Sequence, residues 1–263
     1  IEKQRCFIAD EQGLGKTIEA FAAVQALNAY PALVICMASL KLNWFKEGRK
    51  WLPGKTFCIL GGKEASGRAD ADVTIINFDR LKDYCEFLIH RGFKSMIVDE
   101  CQNLKGAKPQ RTEAAEQIAL GVIYRRNEKK NIDRRQKDRI GVPIPVRLFL
   151  SGTPIMNRPN EMPPQLRILG HLDDLGGWYT FNERYCGMFY GRFGLDTCGH
   201  GNLIELNEKL RALCFVRRLK RDVLKELPPK QRTIVPTELS NRAEYDRAER
   251  NLIQWLKETK GTE

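Results

Sequence analysis

No apolar run in the 263 residues approaches the length of a membrane-crossing helix, which excludes a helical span from this stretch of chain. The first residues carry no signal-peptide pattern. Because the chain begins at Ile1 rather than at a methionine, an excised fragment or a mature segment is expected. There is no Cys-x-x-Cys pair and no internal repeat. The eight cysteines are scattered, and Cys6, Cys36, Cys58 and Cys101 lie in or beside apolar runs, where a reduced thiol serves as a small hydrophobe. That usage predicts a reducing, intracellular compartment: the nucleus of a eukaryote, or the cytoplasm of a bacterial or virus-infected cell. Cys186, Cys198 and His200 match no standard zinc spacing.

What the chain does have is a core and an excess of positive charge. Hydrophobic residues make up 42%, enough for one large domain or two small ones. The formal net charge is +11, a field that favours a polyanionic partner, most simply nucleic acid. The charge is clustered: Arg125–Arg139 and Arg217–Arg232 each carry a net +5. Such clustering reads as a footprint, with a solvated flexible loop as the other reading of the first cluster.

The stretch from Ile8 to Ile18, Ile-Ala-Asp-Glu-Gln-Gly-Leu-Gly-Lys-Thr-Ile, organises the rest. Cys6–Ala9 reads as a short strand and Ile18–Ala29 as a helix. A glycine-containing turn and Gly15-Lys16-Thr17 join them, which is the layout of a phosphate-binding loop. Gly13 and Gly15 let backbone N–H groups point inward around an anion. The helix N-terminus adds partial positive charge. Lys16 supplies a mobile cation for β- and γ-phosphates, and Thr17 offers a hydroxyl to Mg²⁺. Asp10, Glu11, Gln12 and Leu14 complete the expected cofactor-binding loop, with Asp10 at the position the pattern usually gives to its first glycine. A dinucleotide fingerprint fails for want of the third glycine. A tight turn with a solvated lysine is the bland alternative, and the partners of a phosphate loop, present or missing downstream, decide between the two.

Downstream, apolar strand runs alternate with helical stretches. Strands are expected at Leu33–Met37, Phe57–Leu60, Val73–Ile76, Met96–Val98 and Leu148–Leu150. Helices are expected from a Ser39 cap through Trp51, from Asp79 to about His90, and from Pro109 to about Ile123. Pro143 and Pro145 argue against a regular element in the basic stretch. After Pro154 the pattern turns helical, at Pro163–Leu169, Thr180–Tyr190, Ile204–Arg218 and Ser240–Lys260, with one late strand at Gln231–Val235. The expectation is an α/β fold with a mostly parallel sheet covered on both faces, and a helical C-terminal extension. Boundaries are expected at 1–155 for the α/β lobe, 156–235 for a helical extension returning to it, and 236–263 for a linker helix.

Three polar motifs come directly after apolar strands: Asp10–Thr17, Asp99-Glu100-Cys101-Gln102 and Ser151-Gly152-Thr153-Pro154. Parallel strands with right-handed crossovers bring all three to one sheet edge. Asp99 then has a job as the carboxylate that holds Mg²⁺, and Glu100 as the group that orients or deprotonates an attacking water. A strand-end turn explains an aspartate, but two acids leaving an apolar strand beside a phosphate loop are better explained by an ion and a reactive water.

These motifs resemble, in order, those of the first RecA-like lobe of superfamily-two helicase-type motors, and among them the Swi/Snf-type DNA translocases. Asp-Glu-Gln-Gly-Leu-Gly-Lys-Thr, from Asp10, is similar to that family's first motif. Met37–Trp44 and Val73–Phe78 resemble motifs that touch the DNA backbone, Val98–Lys105 the Asp-Glu-Ala-His segment, and Leu150–Asn157 the coupling motif. Cys214–Lys230 resembles the segment that closes the first lobe, and with Gly201–Leu206 the likeness leans to the annealing-helicase branch.

The resemblance implies a DNA-dependent ATPase that uses ATP and Mg²⁺ on double-stranded DNA. It implies DNA contacts at Ser39, Lys41 and Asn43, coupling residues Ser151 and Thr153, and Lys16, Asp99, Glu100 and Gln102 in catalysis. Gln102 replaces a histidine of the family pattern, so coupling is expected to be altered rather than lost. The partner implied is a second RecA-like lobe, which supplies arginines to the γ-phosphate and does not fit in the roughly thirty residues after the closing segment. A non-hydrolysing nucleic-acid scaffold with a vestigial loop and a small-molecule P-loop kinase are the competing readings. The intact Lys16, Thr17, Asp99 and Glu100 argue against the scaffold. The basic clusters and the Ser-Gly-Thr-Pro motif argue against the kinase.

Overall fold

A computed structural model describes residues 2–61, 70–105, 110–125, 136–153, 158–192, 194–226, 228, 233 and 240–260. In chain order the first elements are β1 (Arg5–Ile8), α1 (Lys16–Ala26), β2 (Ala32–Cys36), α2 (Lys41–Trp51), β3 (Phe57–Ile59), β4 (Val73–Asn77), α3 (Cys85–His90) and β5 (Ser95–Asp99). Next come α4 (Gln110–Leu120), β6 (Val122–Arg125), β7 (Gln136–Arg139), β8 (Val146–Leu150), α5 (Met162–Leu169), α6 (Gly177–Tyr185), β9 (Phe189–Gly191) and β10 (Gly194–Asp196). The last are α7 (Leu203–Leu213), β11 (Phe215–Val216), α8 (Lys220–Val223) and α9 (Arg242–Lys260).

Among the described residues, one seven-stranded sheet runs in the order β11-β1-β8-β5-β2-β4-β3, and every neighbouring pair in it is parallel. β2, with the sequence Ala-Leu-Val-Ile-Cys, is buried along its whole length, because helices cover both faces. Alternate side chains feed two cores. Leu33, Ile35, Met96, Val98 and Phe149 pack with α3, α4, α5 and α6 on one face. Val34, Cys36, Ile97, Leu148 and Leu150 pack with Phe21 and Val24 of α1 and Trp44 of α2 on the other. Of the eight thiols, only Cys198 is exposed; the rest are packing atoms, and burial pushes the Cys36 thiol up to about 12. No helix among the described residues is long and apolar enough to cross a membrane.

Several expected elements fall differently, for reasons of tertiary contact. Ser39 does not cap α2; it lies inside a 3₁₀ turn, Ala38–Leu40, that precedes the helix. The helix expected from Asp79 begins with a 3₁₀ turn, and α3 spans only Cys85–His90. The basic stretch is flanked by an antiparallel hairpin, β6 with β7, which ends before Pro143; residues 126–135 lie outside the described residues. The helix expected over Thr180–Tyr190 starts earlier, at Gly177, and its tail is instead the β9–β10 hairpin. α7 stops at Leu213, and Phe215–Val216 turns into a strand because the exposed edge of β1 needs partners: Phe7 N donates to the Cys214 carbonyl and Ala9 N to the Val216 carbonyl, both at 2.7 Å. β11 is therefore a late strand of the sheet. The strand expected at Gln231–Val235 lies outside the described residues, apart from Thr233, which has no regular structure.

The chain divides into two compact units, 1–225 and 226–263. The first holds the sheet, its helices and the three strand-end motifs; in the second, the described regular element is α9.

Candidate nucleotide site

The sheet order decides the site. β1, β8 and β5 are neighbours, so the segments that leave their carboxyl ends are neighbours too: Asp10–Thr17, Ser151–Thr153 and Asp99–Gln102. That is the edge at which open α/β sheets bind ligands.

The loop after β1 turns through Gly13 and Gly15, with φ of 84° and 85°, a conformation that glycine adopts without cost. Gly15 is the cap residue of α1 and brings no side chain to it, so the first-turn N–H groups stay available to an anion. Lys16 lies across the loop, its ammonium donating to the carbonyls of Asp10 at 2.9 Å and Glu11 at 3.3 Å. Its charge also reaches Asp99 and works to lower that residue's pKa.

Asp99 ends β5. Burial raises the pKa of its carboxyl, opposed first by the indole of Trp44, which donates to Oδ2 at 2.8 Å, while the neighbouring Glu100 charge raises it further. Glu100 sits at φ 50°, ψ 54°, in the left-handed region that a non-glycine residue occupies at a cost of about 1 kcal/mol or more. Its backbone is held there by a bond from Glu100 N to Asp99 Oδ1 at 3.0 Å and by Asn103, whose amide side chain and backbone N both donate to the Glu100 carbonyl. Gln102 donates from Nε2 to Glu100 Oε2 at 2.6 Å. Its own Oε1 is buried with no hydrogen-bond partner, an acceptor left over at the site.

Ser151 is buried at the end of β8, its Oγ accepting from Thr153 N at 3.0 Å. Gly152 lies against the loop: a Cβ there would stand 3.2 Å from Gln12 Cγ. Pro154–Asn157 lie outside the described residues.

The residues expected to touch DNA divide. Ser39 and Asn43 are exposed in the segment that follows the carboxyl end of β2. Lys41 is buried, at 4% exposure, and donates from Nζ to the Gly61 carbonyl at 2.9 Å.

Three contributors, Trp44, Arg217 and Arg218, were not legible in the sequence. Trp44 stood inside a quoted motif without a role; the signal was a buried indole that must find an acceptor. Arg217 and Arg218 stood inside a basic cluster read as a nucleic-acid footprint, yet both reach back to the phosphate loop, Arg218 from a half-exposed position. Arg217 Nη1 donates to the carbonyls of Ala9 at 3.0 Å and Gly152 at 3.3 Å, and Arg218 pairs with Asp10. A buried Asp10 calls for a cation, but no local pattern says which of 44 basic residues supplies it.

The family model of the SNF2-related domain matches residues 2–125 and 128–261. The chain belongs to this family. Its relatives include the mouse "DNA annealing helicase and endonuclease ZRANB3", 33% identical over 248 residues that cover 89% of this chain and 21% of the relative. Another is the Caenorhabditis elegans "SWI/SNF-related matrix-associated actin-dependent regulator of chromatin subfamily A-like protein 1 homolog", 30% identical over 88% of this chain and 31% of that protein. The chain thus spans a fifth to a third of these curated relatives. Among solved structures, the "Sulfolobus solfataricus SWI2/SNF2 ATPase core in complex with dsDNA" superposes with a TM-score of 0.60, at 23% identity, over 85% of this chain and 42% of that one. The fold of this SNF2-related domain is therefore the RecA-like fold of SWI2/SNF2 cores, here with the sheet order β11-β1-β8-β5-β2-β4-β3.

Proposed function

We propose that this SNF2-related domain is the ATP-binding motor lobe of a DNA-dependent ATPase that moves on duplex DNA, of the remodelling or annealing-helicase type. The observation that carries the reading is the convergence of Lys16, the Asp99–Glu100 pair and Ser151–Thr153 at the ends of three adjacent strands. The donor set suits ATP with Mg²⁺. Uncapped first-turn amides and a lysine face one side, and a half-buried carboxylate whose pKa is raised by desolvation, which a divalent cation would reverse, stands on the other.

Mg²⁺ bound with ATP supplies Lewis-acid polarisation of the phosphoryl oxygens. Thr17 and Asp99 are the residues that would hold it, and the loop 10–17 would hold the phosphates. Lys16 exchanges its bonds to loop carbonyls for phosphate oxygens, so its charge is available without unfolding anything. Glu100, fixed in backbone and held at one oxygen by Gln102, is the group that orients a water and takes its proton. Ser151 and Thr153 report the state of that site to the rest of the lobe. Ser39 and Asn43, exposed beyond β2, are the proposed contacts to the DNA backbone, and the setting is an intracellular one that holds DNA.

The curated relatives extend well beyond the matched region, and a second lobe is proposed to bring the arginines that neutralise the developing γ-phosphate charge, worth roughly 10³–10⁵ in rate. This chain alone is therefore expected to bind Mg²⁺·ATP and to release phosphate barely above background, with no stimulation by DNA. Titration with a fluorescent ATP analogue and a steady-state phosphate assay test this together. Failure to bind nucleotide in the presence of Mg²⁺ would refute the reading, and DNA-stimulated turnover near ~1 s⁻¹ would refute the need for a second lobe.

A further inference from the structure

Asp10 occupies the place of a glycine in the phosphate-loop pattern, and it is wholly buried. A buried carboxylate behind a loop meant for anions is unfavourable unless a cation answers it. Arg218 answers it from 208 residues away. Its backbone N donates to Asp10 Oδ1 at 2.7 Å, Nε to Oδ2 at 2.9 Å, and Nη2 lies 2.8 Å from Oδ2. The same guanidinium forms an ion pair with Glu19 in the first turn of α1. The neighbours of Arg218 extend the brace. Glu11 N donates to the Arg218 carbonyl at 3.2 Å, Lys220 N donates to the Glu11 carboxylate, and the Lys220 side chain lies along Gly13, 3.7 Å from where a Cβ would stand. Arg217 ties Ala9 to Gly152 through their carbonyls. Arg217–Lys220 thus grips the loop, the start of α1 and the coupling segment at once. It does so straight after β11, whose register on β1 fixes its position.

We propose that Arg218 is a positioning residue for the nucleotide: through Asp10 and Glu19 it holds the phosphate loop and the first turn of α1 in their binding geometry. An ion network anchored at the end of the first unit then governs a loop 200 residues earlier. Any rearrangement of Arg217–Lys220 alters the loop's hold on phosphate. The proposal rests on the reading of the loop as a nucleotide site.

The test pairs Arg218→Ala with the double variant Asp10→Asn/Arg218→Ala, in which no buried charge is left unanswered. Fluorescent ATP analogue is titrated with Mg²⁺, and backbone deuterium uptake is followed without nucleotide. Arg218→Ala is expected to weaken binding at least tenfold and to raise uptake at residues 11–17 while β2 and β4 stay protected. The double variant removes the unanswered charge but also lacks the brace, so it is expected to remain weakened in affinity and unprotected in the loop. Parent-like uptake and affinity in Arg218→Ala would overturn the proposal, as would a double variant restored to the parent's affinity and protection, which would show that Arg218 only answers the charge of Asp10. Should Arg218→Ala not fold, Arg218→Lys, which keeps the charge but not the reach to both carboxylates, is read by the same criteria. If the parent itself bound no nucleotide, the site reading would fall, and uptake at residues 11–17 would still decide whether Arg218 positions the loop.

Discussion

The indole N–H of Trp44 donates to Asp99 Oδ2 at 2.8 Å, so a core aromatic of α2 steadies the carboxylate that ends β5. Trp44 is 1% exposed, and its ring meets Phe21 of α1 edge-on at 5.2 Å between centroids. The metal-binding candidate is thus joined to the packing of both helices on that face of the sheet.

That bond and the burial of Asp99 set a pH dependence. The folded pKa of Asp99 is raised by desolvation, so the stability linked to its proton is fully present below the ordinary carboxylate value and is lost as pH rises through the folded value. The melting temperature of the parent relative to Asp99→Asn is expected to decline across that acid window. Mg²⁺·ATP, which favours the ionised form, is expected to bind more tightly as pH rises through the same window. Trp44→Phe keeps most of the ring packing and removes the donor, so it moves both transitions to higher pH and costs about 1.5–3 kcal/mol of stability at neutral pH. Melting curves and nucleotide titrations at stepped pH check this.

Lys16→Ala is expected to abolish nucleotide binding without unfolding the chain. The side chain is half-buried and gives up two bonds to loop carbonyls, a cost of about 1 kcal/mol, whereas the phosphates lose their only mobile cation from the loop. Analogue affinity with a matched melting curve is the measurement.

The residues of the Ser39–Asn43 stretch are expected to separate by phenotype. Ser39→Ala and Asn43→Ala should weaken duplex DNA binding with the melting temperature unchanged. Lys41→Ala should lower stability by about 1–3 kcal/mol, because Lys41 is buried and donates to the Gly61 carbonyl. Melting curves beside DNA titrations distinguish a surface contact from a structural one.

Duplex binding is expected to be weak, sequence-independent and steeply salt-dependent, since the chain displays charge rather than base-reading chemistry. Neutralising the basic residues of 125–139 should flatten the slope of log K against log salt. An unchanged slope reassigns that stretch to a solvated loop. Arg217 and Arg218, being spent on the phosphate loop, are not expected to contribute to the slope.

Most of the α/β architecture was legible in the sequence, because its signals are local. Leu33–Met37 and Leu148–Leu150 are continuous apolar runs that only a sheet covered on both faces can bury, and Gly13, Gly15 and Lys16 state their chemistry by type and spacing. Strand-end placement of Asp99–Glu100 and Ser151–Thr153 came from the same runs and the chain's right-handed habit. The pairings that complete the site were not legible, because they join residues far apart in sequence. Phe215–Val216 continues a helical stretch in sequence and is a strand because it supplies partners to the edge of β1. Lys41 looks like any surface lysine until Gly61 closes over it. Arg218 is one cation among many until the fold sets it against Asp10, where the cost of an unanswered buried charge, a property of tertiary structure alone, determines which arginine must be there.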